Sequence, residues 1–159
     1  MVFRDLIRKK QALSENECIR ILTEEKRGVL AVLGDGGYPY AMPMNHWYDP
    51  EDGHIYFHGG KHGHKIDALQ ACDKVSFCVY DGGTHENGQW YLDIRSVIVF
   101  GRMRAVTDKD RAMDICRALS HKFTADETYI ENEVKDSGPG TLVLELIPEH
   151  MTGKLVHER

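Results

Sequence analysis

Residues 56–69 read Tyr56-Phe57-His58-Gly59-Gly60-Lys61-His62-Gly63-His64-Lys65-Ile66-Asp67-Ala68-Leu69. The alternating run from His54 to His58 has the pattern of a strand, and it stops at Gly59-Gly60. A helical pattern follows, with Ile66, Leu69 and Cys72 on one face. Between the two lie His58, Lys61, His62, His64 and Lys65, with three glycines among them. Glycines let backbone N–H groups turn toward a ligand, lysines bring positive charge, and a helix start adds its dipole. Together these suit a phosphate. Neither G-x-x-x-x-G-K-[ST] nor G-x-G-x-x-G is present, so the phosphate of a smaller nucleotide is favoured over ATP. The alternative is a solvated glycine turn.

Upstream, Ser14 and Glu17 fit a capping box that opens a helix with Cys18, Ile19 and Leu22 on its apolar face. Gly28–Leu33 is a buried strand, and Asp35-Gly36-Gly37 is a hairpin signal. The return strand, Tyr38–Tyr48, carries Pro39 and Pro43, which places it at an edge or gives it a bulge. Downstream, Lys74–Tyr80 is a strand and Asp81–Gln89 is polar. Trp90–Val106 forms a long strand in which Val97, Val99, Gly101, Met103 and Ala105 share one face. Thr107-Asp108 caps a further helix with Met113, Ile115, Cys116 and Leu119 as its stripe. Phe123–Gly140 has no assignable period, and Thr141–Ile147 is a final strand. The count is about six strands and three helices, in a mainly β, antiparallel, barrel-like arrangement.

The 159 residues suffice for one domain with a proper core, spanning 1–159. A net charge of −5 argues against nucleic-acid binding. No apolar run approaches the ~20 residues of a membrane span, and the first residues lack a signal-peptide pattern. Cys18, Cys72, Cys78 and Cys116 sit in apolar patterns without a C-x-x-C pair, as expected of free thiols in a reducing cytoplasm. Cys78 reads as core, not as a nucleophile.

Several strings occur in order: Arg27-Gly28-Val29-Leu30-Ala31, Gly37-Tyr38-Pro39-Tyr40, Pro43-Met44-Asn45, Tyr56-Phe57-His58, Gly63-His64-Lys65, Arg95-Ser96-Val97-Ile98 and Phe100-Gly101. This set resembles the split-barrel flavin-binding family related to pyridoxamine 5′-phosphate oxidase, and within it the nitroimidazole-resistance type. The resemblance runs from about Arg4 to Lys154. It implies a six-stranded antiparallel split β-barrel forming a homodimer, with two FMN sites at the interface. By this match His58, Gly59, Lys61, His62 and Lys65 form the phosphate end. Met42, Pro43, Met44 and Asn45 run along the isoalloxazine, and Arg95, Ser96 and Val97 meet the flavin from the other side. His64 stands where the oxidase has an Arg. The oxidase's substrate-phosphate residues have no counterpart here, which argues against pyridoxamine phosphate as substrate. The implied function is flavin-dependent oxidation or reduction of a small molecule, nitroaromatics among the candidates. The alternative is a non-catalytic flavin- or haem-binding module.

A phosphate dianion can be met by two lysines, a helix start and glycine N–H groups. The flavin would carry the redox chemistry, which fits a sequence without a triad or paired carboxylates. His54, His58, His62 and His64 are dense enough to weigh as metal ligands, but no Cys or carboxylate is spaced to complete a site, so no metal is expected. Arg95 calls for a phosphate, or for a carboxylate such as Asp93 or Glu145. Trp47, Trp90 and Tyr91 read as core or dimer interface rather than ring-stacking partners. The acidic run 126–133 reads as a solvated face or a lid.

Overall fold

The computed structural model describes residues 3–85 and 87–158. Seven strands form one sheet: β1 (Arg27–Leu33), β2 (Pro39–Asn45), β3 (Trp47–Tyr48), β4 (Ile55–Gly59), β5 (Lys74–Tyr80), β6 (Asp93–Ala105) and β7 (Leu142–His157). Their order is β2-β1-β5-β6-β7-β4-β3, and every neighbouring pair is antiparallel. The expected six strands become seven because the 38–48 segment divides at His46. Its first part pairs with β1 and its second with β4. The two ends of the sheet are therefore joined by one residue. A sheet whose outermost strands are sequence neighbours has to curl, and this one rolls into a split barrel around Leu30, Phe57, Phe77, Val99 and Leu146.

The prolines follow from the register. Gly34 N donates to Tyr38 O (2.8 Å), and His46 N donates to Lys26 O (3.4 Å). Bonded and non-bonded pairs alternate in an antiparallel ladder. The even-numbered residues of β2 thus turn their backbone toward β1, and Pro39, Ala41, Pro43 and Asn45 turn theirs outward. Both prolines fall where no ladder bond is lost. Tyr40, Met42 and Met44 point inward against the core.

In β6 the buried face is Val97, Val99, Gly101 and Met103, with Ile98, Phe100, Arg102 and Arg104 outward, as the alternation predicts. A register shift falls between Phe100 and Gly101. A Cβ on Gly101 would lie 2.2 Å from the Ile147 carbonyl oxygen, so the bulge requires glycine. Strand β7 runs well past the predicted Ile147, pairing with all of β6.

Among the described residues four α-helices flank the sheet, one more than expected. Helix α1 (Glu15–Glu24) starts with the predicted capping box and buries Cys18, Ile21 and Leu22. Helix α2 (His64–Ala71) follows β4. Helix α3 (Lys109–His121) lays Ala112 and Ile115 against Tyr56 and Val143 on the outer face of the barrel. Helix α4 (Glu127–Ser137) occupies the unassigned stretch. Asp126 caps it, and it buries only Ile130 and Val134, too few apolar positions to show a period.

His46 sits fully buried at the corner, edge-on to Phe77 at 5.0 Å. Its Nε2 donates to the Leu22 carbonyl at 2.8 Å, at the C-terminal end of α1, and Nδ1 has no protein partner. Lys122 closes the same helix end through Glu25 O (2.6 Å). Burial, then the Lys122 charge, lowers the His46 pKa to about 4. The unfolded chain binds a proton here near pH 6.5, whereas the native chain refuses it until about pH 4. Stability is therefore full above about pH 6.5 and falls as pH drops toward 4, by up to about 3 kcal/mol. Urea denaturation across this range should show that loss. His46→Leu should reduce the wild-type pH dependence by about that amount, whatever it does to stability at pH 7.

Candidate functional site

Strand β4 ends at Gly59, and α2 starts after Gly63, whose φ of 115° only glycine adopts freely. Ile66 N and Asp67 N close the first turn onto the Gly63 carbonyl. Lys65 reaches back over the seam between β2 and β4. Its Nζ lies 3.7 Å from Met44 Sδ, and a Cβ on Gly59 would come within 3.1 Å of it. The side chain is half-buried, burial lowers its pKa, and among the described residues no carboxylate pairs with it. A half-buried ammonium against a thioether, next to a helix start, has the charge and the open valence to hold an anion.

The other loop residues go separate ways. His64 stacks on Tyr40 (4.2 Å between centroids, 13° between planes) and accepts from Asp35 N at 3.3 Å, pinning α2 to the β1–β2 turn. Lys61 donates to the Pro139 carbonyl at 2.7 Å, on the α4–β7 connection. His62 is exposed. His58 points to the face opposite Phe57, into a cavity of about 180 Å³ shared with Cys116, Ser120, Tyr129 and Glu133. Partial desolvation there, then the Lys65 charge, lowers its pKa. The four weighed histidines thus occupy separate environments, and His54 binds Glu145 instead.

On β2, Met42 and Met44 face the core, Pro43 faces out, and Asn45 Oδ1 accepts from Arg27 Nε at 2.8 Å. Arg95, Ser96 and Val97 lie elsewhere. Gly59 pairs with Leu142, and Leu144 pairs with Ala105, so the Lys65 end is level with the far end of β6. Arg95 is ten residues away along that strand, roughly 30 Å at the usual strand rise. Within one chain the two groups do not meet. Arg95 also pairs with neither expected carboxylate. Its Nη1 is 3.5 Å from Asp81 Oδ2, and its backbone N–H donates to Asp81 Oδ1 at 2.9 Å. Asp93 binds His157 (2.7 Å), and Glu145 binds Arg104 and His54. Val97 is fully buried, so only its backbone is available.

One cluster escaped the sequence. The Tyr56 hydroxyl donates to Asp52 (2.5 Å) and lies 3.2 Å from Glu145. Arg111 from α3 binds Asp49 (2.5 Å) and lies over the rings of Trp47 and Tyr56. Burial and then Asp52 raise the Tyr56 pKa. Burial also raises that of Glu145, but hydrogen bonds from Arg104 and His54 outweigh it and leave the carboxyl lowered. Asp52, His54 and Glu145 are the one set of three possible metal ligands gathered among the described residues, within 4.8 Å of one another. All three already have partners, so the cluster reads as a tie between the 49–54 turn, β7 and α3. Turn acids and a strand tyrosine carry no sequence signal that they will meet residues 60 to 90 positions away.

A curled antiparallel sheet whose two edge strands are joined by one residue, with a lysine-bearing helix start on the seam, places the protein among the split barrels. The family description pyridoxamine 5′-phosphate oxidase matches residues 14–155, and the chain belongs to that family. No curated protein matches it significantly in sequence. Among solved structures it is similar to a Bacteroides thetaiotaomicron protein named as a candidate for 5-nitroimidazole antibiotic resistance (19% identity, 92% of this chain and 87% of that one, TM-score 0.75). It is also similar to a FAD-binding protein from Mesorhizobium loti (25%, 92% and 97%, TM-score 0.63). A third is the FAD and heme binding protein from Mycobacterium smegmatis (20%, 94% and 74%, TM-score 0.72). No helix among the described residues is long and apolar enough to cross a membrane.

The Arg111 tie is testable apart from any ligand. Arg111→Ala leaves Asp49, 3% exposed, without its cation, at an expected cost of about 3 kcal/mol. Adding Asp49→Asn should recover part of that loss in urea denaturation. An unchanged midpoint for the single variant would mean that the pair does not hold the turn.

Proposed function

We propose that this chain is an FMN-dependent oxidoreductase of small molecules, working as a cytoplasmic homodimer. The observation that carries this reading is Lys65, half-buried and without a carboxylate beside the Gly59 backbone and the start of α2. The donor set suits a phosphate: an ammonium, the free N–H groups of a helix start, and glycines at 59 and 60, the latter with open space around it. The sequence resemblance and family membership make the flavin phosphate the natural anion. Of the residues named from sequence, Lys65 and Gly59 fit the phosphate best. Gly60, His62 and the Gly63–His64 turn border it, and Lys61 and His58 stand further out.

From there the outward edge of β2 offers the Ala41 and Asn45 N–H groups and the carbonyls of Ala41, Pro43 and Asn45. A flat heterocycle with donors and acceptors on its rim can pair with such an edge. When bound, the flavin supplies hydride or electron transfer. The protein orients the ring, neutralises the phosphate and limits water. Arg95, Ser96 and Val97 can join this site only from a second copy, given the distance along β6. Tyr80, Ile98 and Phe100 keep apolar surface open on the outward face of β5 and β6, suitable for that copy. The four cysteines are free thiols, which fits a reducing compartment. Nitroaromatics are the substrate class favoured by the likeness to the Bacteroides protein.

Lys65→Ala should weaken FMN binding by one charge-assisted contact, on the order of 1.5–3 kcal/mol or about 10- to 100-fold. Unchanged affinity in a titration would remove Lys65 from the phosphate site. The mass of the cofactor released from purified protein distinguishes FMN from FAD. Sedimentation should find a dimer, and a monomer binding one FMN per chain would overturn the shared site.

A further inference from the structure

Trp90 is the largest side chain left open to water among the described residues, 84% exposed, in a residue type that is mostly buried on average. That exposure excludes the core position allowed by the sequence and leaves an interface. The indole rides on the connection between β5 and β6, whose root is fixed to Arg95. Asp81 Oδ1 accepts from both Gly83 N (3.1 Å) and Arg95 N (2.9 Å), while Thr84 and Asp93 exchange backbone hydrogen bonds of 2.9 and 2.7 Å. Gly83, within this root, and Gly88, beyond it, both take positive φ. Tyr91 and the indole meet in a T-shaped contact, 6.2 Å between centroids and 82° between planes. Wherever Arg95 goes in an assembly, Trp90 goes with it.

We infer that Trp90 of one copy closes over the substrate side of the flavin site of the other copy, and selects flat, electron-poor aromatic substrates. This rests on the flavin reading above. If Arg95, Ser96 and Val97 complete the site of a second chain, the register of β6 and the Asp81 anchor bring the Trp90 loop to the same place. The apolar strip of Tyr80, Ile98 and Phe100 runs on from this loop, so the surface is continuous with the proposed contact between copies. An indole face is electron-rich. It stacks best on a ring poor in electrons, and a substrate held between indole and flavin would be selected for flatness.

The sequence has two tryptophans, so Trp47→Phe leaves Trp90 as the only one. In that variant, titration with FMN should quench tryptophan emission nearly completely, because the indole faces the flavin ring of the other copy across no more than the thickness of one bound substrate. Weak or absent quenching at saturating FMN would overturn the inference. Binding of p-nitrobenzoate, read from the flavin absorption of the loaded protein, should weaken about two- to ten-fold in Trp90→Ala and be largely kept in Trp90→Phe. Equal affinity in all three forms would also overturn it. Uptake of FMN that depends on Lys65, with Trp90 emission unaffected, removes the Trp90 role and leaves the flavin reading standing. No uptake of FMN removes both.

Discussion

His46 is the whole connection between the two edges of the sheet. With β2 on one side, β3 on the other and no residue to spare, the chain at 45–47 has to leave one ladder and enter the other end of the same sheet. Barrel curvature follows from that connectivity. The corner residue cannot be apolar and idle, because α1 ends beside it with a carbonyl to satisfy. An imidazole does both jobs: the ring packs in a T-shaped contact with Phe77 and one nitrogen serves Leu22. The consequence is an uncharged histidine, and so a fold whose closure is tied to the absence of a proton.

The same corner explains where sequence reading stopped. Periodicity located β1, β5 and β6, and the faces of β6 came out from Val97 to Met103, because alternation reports burial directly; Ala105, at the strand's end, is exposed. The prolines of β2 marked an edge for a local reason, the missing N–H. Division of one predicted strand by a single histidine has no local mark, since 38–48 is extended throughout. Helix α4 was missed because two buried residues make no period. Strand β7 was cut short at Ile147 because beyond it Pro148, Glu149 and His150 interrupt the apolar pattern where the Gly101 bulge passes. The Asp49–Arg111 and Tyr56–Asp52–Glu145 ties depend on side chains that only the folded barrel brings together.

In the glycine loop, residue type was legible and direction was not. Lys61 and Lys65 look equivalent in sequence, one on each side of Gly63. In the fold Lys61 is outside the helix and finds a carbonyl of the α4–β7 connection. Lys65, one residue into α2, swings over the seam toward Met44. The helix start decides between them. Gly63 sets the angle at which α2 leaves the loop, and the stacking of His64 on Tyr40 holds it there. His64 thus serves as a clamp that aims its neighbour.

The contrast between Lys65 and Arg95 gives the chain its polarity. Both are half-buried cations near the sheet, but Arg95 has Asp81 for a partner and Lys65 has none. Arg95 recovers part of its desolvation cost from Asp81, while a lone ammonium loses hydration without recompense until an anion arrives. Lys65 is therefore the end that gains most from a phosphate. Arg95, already balanced, can contribute shape and hydrogen bonds without adding net charge. A flavin fits that division, since its charge is concentrated on the phosphate and its ring is neutral in the oxidised form. The two ends lie at opposite extremes of β6, so within one barrel they cannot act on the same ligand. On the reading proposed above, two barrels related by a two-fold axis would bring a charged end and a neutral end together twice.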